Sequence, residues 1–439
     1  MRHHRAGILQ RRYRYRWLCA NVWLQCGTAG LGGDNRQGAQ RFYRTCTTVA
    51  GRGAPPAQRA PEQDAGAGRR GAGRCRYSES LCHRWLNTAA LAYHAPCKQI
   101  LRRDHHVAHD LPIFQTYPDL AQAFPRLPLA DLPTPVTHYP GIRKNLWVKH
   151  DDLSNSRYGG NKVRKLEFIL ARVQQAGRSH IVTFGATGTN HGLATALFCR
   201  ELGLRCTVLL FDQQDSEVCA ENYRRLQTSG ARLIHCGSLF RSVMAFYLFE
   251  RLRSPGAYFL FAGGSNIEGC FAFVNAAFEL KQQYDSRRQP YPDVIYCAVG
   301  STSTCAGLTL GAYLAGLPSR VVGVRVAPSH LGPIPTCAAS TIATLMAKTL
   351  AAMRRHQQEP QGELPPVHLL NQYFGAGYGV ATAEGDAATR EFATSGIRLD
   401  PTYTAKAAAA ALAHCDAHEQ ERVLYWHTFN SAQPGPLPA

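Results

Sequence analysis

From Leu111 onward the sequence predicts an α/β fold of two lobes, each a mainly parallel, doubly wound sheet covered by helices on both faces to give three layers. Short apolar runs rich in β-branched residues recur along this segment, and stretches with helical spacing separate most of them. The 439 residues also leave room for two units of ordinary size, since one domain takes roughly 100 to 200 residues. Alternation of this kind places successive strands parallel in one sheet, because a parallel return needs a crossover and the crossover is ordinarily a helix.

The predicted strands are Ile181–Phe184, Cys206–Phe211, Ala231–His235, Tyr258–Phe261, Val294–Val299, Val321–Val326 and Val423–Tyr425. Helical faces lie between them: Val163, Leu166, Leu170 and Val173 share one, and Leu193, Leu197 and Leu204 another. In open sheets of this type ligands bind at the carboxyl ends of strands. The unusual residues of this chain cluster at those ends.

Residues 1–110 have a different texture. They carry 18 Arg and one Lys against six acids, so +13 of the chain's +19 lies there, and Ala50–Arg76 is rich in Gly, Ala, Pro and Arg without helical or alternating period. The segment reads as a disordered leader or as non-native coding sequence, with translation starting near Leu101, Val107 or Leu111. A transit peptide should be rich in Ser, and only Ser78 and Ser80 occur here. Because the excess charge belongs to the leader, the remaining chain gives little reason to expect a nucleic-acid partner.

Composition narrows the classes further. With 45% hydrophobic and 18% charged residues a folded core is expected, and no apolar run approaches the roughly 18 residues of a membrane span. The fifteen cysteines are scattered, odd in number and never spaced C-x-x-C, which favours a reduced, cytoplasmic protein. His3-His4 and His105-His106 are pairs without a ligand cluster, so no metal is expected.

Four segments carry chemistry. Tyr158-Gly-Gly-Asn-Lys-Val-Arg-Lys-Leu-Glu167 runs two glycines into a helix with Lys162 and Lys165 in its first turn. Cations there oppose the helix dipole, so an anion should lie nearby, and crowding by a second cation lowers the amine pKa, as suits a Schiff-base nucleophile. Taken alone, the segment is equally an ordinary surface helix. Gly185-Ala-Thr-Gly-Thr-Asn-His-Gly192 follows a strand and opens a helix whose free N–H groups suit a planar anion or a carboxylate, although His191 alone reads as a packing or capping residue. Gly300-Ser-Thr-Ser-Thr-Cys-Ala-Gly307 puts four hydroxyls after another strand, a phosphate cradle or a polar cap. Finally, Tyr373-Phe-Gly-Ala-Gly-Tyr-Gly379 and Leu399-Asp-Pro-Thr-Tyr-Thr-Ala-Lys406 bring tyrosines into loops ahead of helices, where they act as general acids or pack with a hydrogen-bonded tip.

Together these segments resemble the 1-aminocyclopropane-1-carboxylate (ACC) deaminase and D-cysteine desulfhydrase family, enzymes of the tryptophan synthase β type that use pyridoxal 5'-phosphate (PLP). The resemblance runs from about Leu111 to Pro436 and is most specific in G-G-N-K-x-R-K-L-E. It implies the tryptophan synthase β-like fold over 111–439, with a smaller lobe at approximately 185–300 inserted in a larger one, and a homo-oligomer such as a dimer. Lys162 would be the PLP lysine and Lys165 would contact the phosphate. Asn190 would bond the ring hydroxyl, with Thr189 and His191 beside the substrate carboxylate. Thr302, Ser303 and Thr304 would line the phosphate loop, and Tyr378 and Tyr403 match the two tyrosines that face the substrate in ACC deaminases. The chain departs from the family in two places: Ser301-Thr-Ser-Thr304 is poorer in Gly than the usual phosphate loop, and His427-Thr-Phe-Asn-Ser431 stands where His-Thr-Gly-Gly is usual.

The resemblance further implies that Lys162, once released from the cofactor, acts as a base while PLP serves as electron sink. By the same resemblance Thr404 would stand at the pyridine nitrogen, where ACC deaminases place a Glu and the desulfhydrase branch a Thr. A neutral hydroxyl leaves a weaker sink, which an expellable β-substituent tolerates better than a strained ring does. The reading is therefore α,β-elimination on a small amino acid such as D-cysteine, giving pyruvate, ammonia and sulfide. ACC ring opening to 2-oxobutanoate is the alternative, and a non-catalytic PLP-binding or nucleic-acid-binding protein a third.

Overall fold

The computed structural model describes residues 111–356 and 363–431. The Arg-rich leader, its histidine pairs and the proposed internal starts up to Val107 lie outside the described residues.

Two short helical turns, Pro112–Thr116 and Leu120–Ala123, lead into β1 (Val136–His138) and β2 (Leu146–His150). Strict alternation follows: α1 (Asn161–Gln175), β3 (His180–Ala186), α2 (Asn190–Glu201), β4 (Arg205–Phe211), α3 (Glu217–Gln227) and β5 (Arg232–Gly237). After α4 (Leu239–Met244), which continues through a π turn, come β6 (Tyr258–Phe259) and the long α5 (Ile267–Arg287). The chain then runs through β7 (Val294–Val299), α6 (Ser303–Ala315), β8 (Arg320–Arg325), the short β9 (His330–Leu331) and β10 (Ile334–Pro335), and α7 (Ala339–Arg354). Strand β11 (His368–Leu370), α8 (Ala383–Ala393), α9 (Thr404–Ala417) and β12 (Val423–His427) end it.

The strands form a parallel four-stranded sheet in the order β5-β4-β3-β6 and a six-stranded sheet in the order β1-β2-β12-β7-β8-β11. The larger sheet is parallel except for its edge strand β1, which runs antiparallel to β2. Each of the seven predicted strands falls on an observed one. The strands not anticipated are short or polar: β2, Leu-Trp-Val-Lys-His, contains a lysine that reads as surface until its buried partner is known. Val294–Val299, which the sequence reading put inside the smaller lobe, pairs with β12 and β8 in the larger sheet, and the smaller sheet spans residues 180–259. An apolar run says that a strand is buried, and does not say in which sheet.

Alternation along β7 divides the larger lobe's core. Ile295, Cys297 and Val299 face α5 and α6 together with Trp426, whereas Val294, Tyr296 and Ala298 face α9 with Val324 and Tyr425. The run of alanines in α9 presents small side chains that let the helix lie close against the strands. In the smaller lobe Ile181, Val208 and Leu210 pack on Leu166, Ile169, Leu170 and Val173 of α1, the face its spacing predicted. The opposite side of α1 is held by buried charges. Arg164 donates to Asp151 at 2.9 Å and to Glu279 at 2.8 Å, Lys149 donates to Glu279 at 2.6 Å, and the Trp426 indole donates to Asp151 at 2.7 Å. None of the four ionised residues is more than 3% exposed. An isolated buried charge is costly, so this network fixes the azimuth of α1 on the larger lobe.

Candidate active site

The turn that starts α1 needs both of its glycines. A Cβ on Gly159 would lie 1.9 Å from the Asp152 carbonyl, and Gly160, at φ +93°, would bring one within 2.9 Å of the Thr428 carbonyl. The segment that departs from the family's His-Thr-Gly-Gly packs on this turn: Asn161 N–H donates to Thr428 O, and Gly159 N–H donates to Asn430 Oδ1 at 2.7 Å. His427 itself is fully buried, with burial pulling its pKa down to about 4.

Lys162 and Lys165 project from the first turn. The ion pairs of α1 are made by Arg164, Glu167 and Arg172, and among the described residues neither lysine forms one. Burial lowers the Lys162 amine to about 8, with Asp400 opposing the change. Lys165 falls well below the usual lysine range because of burial and the adjacent Lys162. Its Nζ donates to Ser301 Oγ at 3.3 Å and to Gly263 O at 3.4 Å.

The loop after β3 lies beside these amines. Burial, followed by the charges of Lys162 and Lys165, keeps the His191 imidazole neutral, and it bonds Thr183 Oγ1 at 3.0 Å. Thr189 caps α2, its hydroxyl accepting from Gly192 N–H at 3.1 Å. The Asn190 oxygen accepts from Asn222 at 2.8 Å and from Tyr158 at 3.2 Å.

The hydroxyl tract after β7 closes another side. Thr302, Ser303 and Thr304 are buried at the start of α6; Ser303 Oγ donates to Gly264 O at 3.2 Å, and Thr304 Oγ1 accepts from Asn161 at 3.1 Å. The compensation for a glycine-poor tract comes from a second segment, Gly263-Gly264, pressed so closely on it that a Cβ on Gly263 would stand 2.4 Å from that of Ser301. The sequence reading did not single out this pair. Two adjacent glycines between a strand and an Asn-capped helix were the signal, and only the fold shows what they face.

At the fourth side the hydroxyls of Tyr378 and Tyr403 are hydrogen-bonded to each other, and the Tyr403 ring lies against Gly300. Burial raises both phenols, Tyr403 the more, because Tyr378 adds to its shift. Thr404 is committed to Asp400: its hydroxyl donates to the carboxylate at 2.6 Å and accepts from Asp400 N–H at 2.7 Å. The sequence reading took Thr404 as a neutral hydroxyl; the structure adds that this hydroxyl donates its hydrogen bond to the buried Asp400 carboxylate. Asp400, whose charge also bears on Lys162, Tyr158, Tyr378 and Tyr403, was quoted in a motif and given no role.

All the predicted site residues are thus joined through contacts or short-range charge effects. Lys162, Asn190, Ser301, Tyr378 and Tyr403 are half-buried, as side chains that line a cleft are, with the buried Asn161, Thr189, Thr302 and Thr404 beside the first three and the last of them. A buried amine and a half-buried one without ion pairs, beside four hydroxyls and a backbone cradle, call for a compact anion.

Residues 127–428 match the model of the pyridoxal-phosphate dependent enzyme family, and the chain belongs to that family. It is 32% identical over 328 residues to a D-cysteine desulfhydrase of Klebsiella pneumoniae (strain 342) and 33% identical over 332 to one of Serratia proteamaculans (strain 568); each match covers 70% of this chain and 94% of the relative. Among solved structures it is similar to an ACC deaminase homologue, at TM-score 0.62 and 26% identity over 72% of this chain and 94% of that one. Its cofactor is PLP, and the unpaired lysines, the hydroxyl tract and the glycine cradle fit a group with one aldehyde and one phosphate. Among the described residues no helix is long and apolar enough to cross a membrane.

Proposed function

We propose that the chain catalyses α,β-elimination on D-cysteine or a closely similar small amino acid, releasing pyruvate, ammonia and sulfide. The observation that carries this reading is Lys162: an amine lowered to about 8, without an ion pair, on the edge of a cleft walled by hydroxyls and a tyrosine pair. Thr404, in place of a Glu, and the two desulfhydrase relatives favour elimination over ring opening.

In this reading Lys162 holds the cofactor and, once released, accepts the Cα proton; its lowered pKa puts a useful fraction in the neutral form near pH 7 to 8. Lys165 with Ser301, Thr302, Ser303 and Thr304 holds the phosphate. Asn190 offers its NH2 to the ring hydroxyl, while Thr189, His191 and the N-terminus of α2 set the carboxylate end of the substrate. Tyr378 and Tyr403 pass a proton to the departing thiolate, and Thr404, backed by Asp400, faces the ring nitrogen. PLP, when bound, supplies the electron sink. The reading extends to a cytoplasmic homodimer of 111–439 with two lobes, in keeping with nine free cysteines among the described residues.

Visible spectra of the purified protein and Lys162→Ala, with pyruvate and 2-oxobutanoate assayed after D-cysteine and ACC, test it. A cofactor band lost in the variant, with pyruvate from D-cysteine, is the expected result. Formation of 2-oxobutanoate from ACC without pyruvate from D-cysteine overturns the choice of substrate, and a band that survives in Lys162→Ala overturns the role of Lys162.

A further inference from the structure

Asn222 lies on α3, 32 residues from Asn190, and is 5% exposed. Its Nδ2 donates to Gly188 O at 3.0 Å and to Asn190 Oδ1 at 2.8 Å. A peptide carbonyl can only accept, so the end of Asn222 that faces Gly188 is its NH2. The second proton of that NH2 points at Asn190, so the atom it meets there is the oxygen. The Tyr158 hydroxyl lies 3.2 Å from both Asn190 O and Asn190 Oδ1 and shares its single proton between them. The buried Asn222 donor therefore fixes one orientation of the Asn190 amide, with its own NH2 turned away from Asn222, and Tyr158 supports that orientation with a shared proton.

The mounting of Asn222 is rigid. Ser216 caps α3 by accepting from Cys219 N–H at 3.1 Å, and a Cβ on Gly188 would lie 2.7 Å from Cys219 Cα, so the first turn of α3 presses directly on the loop that holds Asn190. Tyr158 and Asn222 are buried, whereas Asn190 is half-exposed.

We propose that Asn222, assisted by Tyr158, is a positioning residue that makes Asn190 present a donor and not an acceptor to the ring oxygen of PLP. The inference rests on the proposed placement of the cofactor beside Lys162 and Asn190. An uncommitted asparagine offers either end, and an acceptor at that point would oppose the anionic form of the ring oxygen.

Asn222→Asp tests this, because an ionised carboxylate cannot donate and would draw the Asn190 NH2 toward itself, turning the Asn190 oxygen into the cleft. The readouts are the visible pH titration of the bound cofactor and PLP retention on dialysis. The pH midpoint of the chromophore is expected to rise by roughly one unit or more, with about tenfold weaker PLP binding. Tyr158→Phe, which removes only one of the two donors, should move the midpoint in the same direction by less. A folded Asn222→Asp holoenzyme with the wild-type midpoint overturns the inference, even if its thermal stability drops. If that variant does not accumulate, Asn222→Ala is read the same way, with a raised midpoint expected and an unchanged one decisive against it. Loss of the band in Lys162→Ala checks the underlying placement separately, so the two ideas fail by different measurements.

Discussion

Helix α1 has two sides with opposite electrostatics. On one, Arg164 is buried between Asp151 and Glu279, and those carboxylates raise its pKa above the ordinary arginine value while Glu279 is held down at about 2. On the other, Lys162 and Lys165 are surrounded by protein without a carboxylate in ion-pair range, and both amines are lowered. All three cations fall within four consecutive residues of one helix. A buried cation that is paired and hydrogen-bonded serves the fold. One left unpaired destabilises the unliganded chain and holds that free energy available for an anion or an aldehyde.

The largest effect that sharpens this contrast is chemical. Lys162→Ala is expected to lower turnover by roughly 10³-fold or more while the circular dichroism spectrum stays that of the wild type; loss of fold would remove Lys162 from the functional side. Next, Arg164→Met leaves Asp151 and Glu279 without their guanidinium, and should cost about 3 to 5 kcal/mol in denaturant unfolding. Lys165→Met should leave the unliganded chain at least as stable as the wild type while PLP washes out faster. If the two substitutions destabilise equally, the two sides of α1 do not differ as described.

A third prediction concerns pH. The folded pKa of Lys162 is about 8 and its ordinary value 10.5, so between these the unfolded chain binds more protons and the stability of the PLP-free protein rises with pH. The Lys162 contribution amounts to about 3 kcal/mol across that window, and subtracting the profile of Lys162→Met should isolate it. Glu279 works at the other end: its stabilisation is present above its ordinary pKa of 4.5 and is lost as pH falls through about 2. The smallest effect is expected at Thr189→Ala, which removes the α2 cap for about 1 kcal/mol, whereas Thr189→Ser should restore most of it.

Much of this was legible in the sequence. The seven apolar strands, the apolar face of α1 and the glycine pair before Lys162 each rest on local rules of period and turn, which do not depend on distant partners. The four site segments were readable for the same reason, since each lies just after a strand or at the start of a helix. Strand β2 was not readable, because its buried lysine is satisfied by acceptors outside the strand, the Thr134 carbonyl, Gln283 and above all the carboxylate of Glu279, 130 residues away. The same limit applied to Asp400, whose role depends on the tyrosines and Lys162 around it, and to the choice of sheet for β7.

By itself the sequence determined the fold class and singled out the segments with unusual chemistry, because dihedral preference, period and the chemistry of single residues are local; the role expected of Lys162 came from the family resemblance of its motif. Only the tertiary structure decided which buried charges are paired, that Gly263-Gly264 packs against the hydroxyl tract, and which end of Asn190 faces Asn222. Those are properties of distance and direction between residues far apart in the chain, and the packed fold alone sets them.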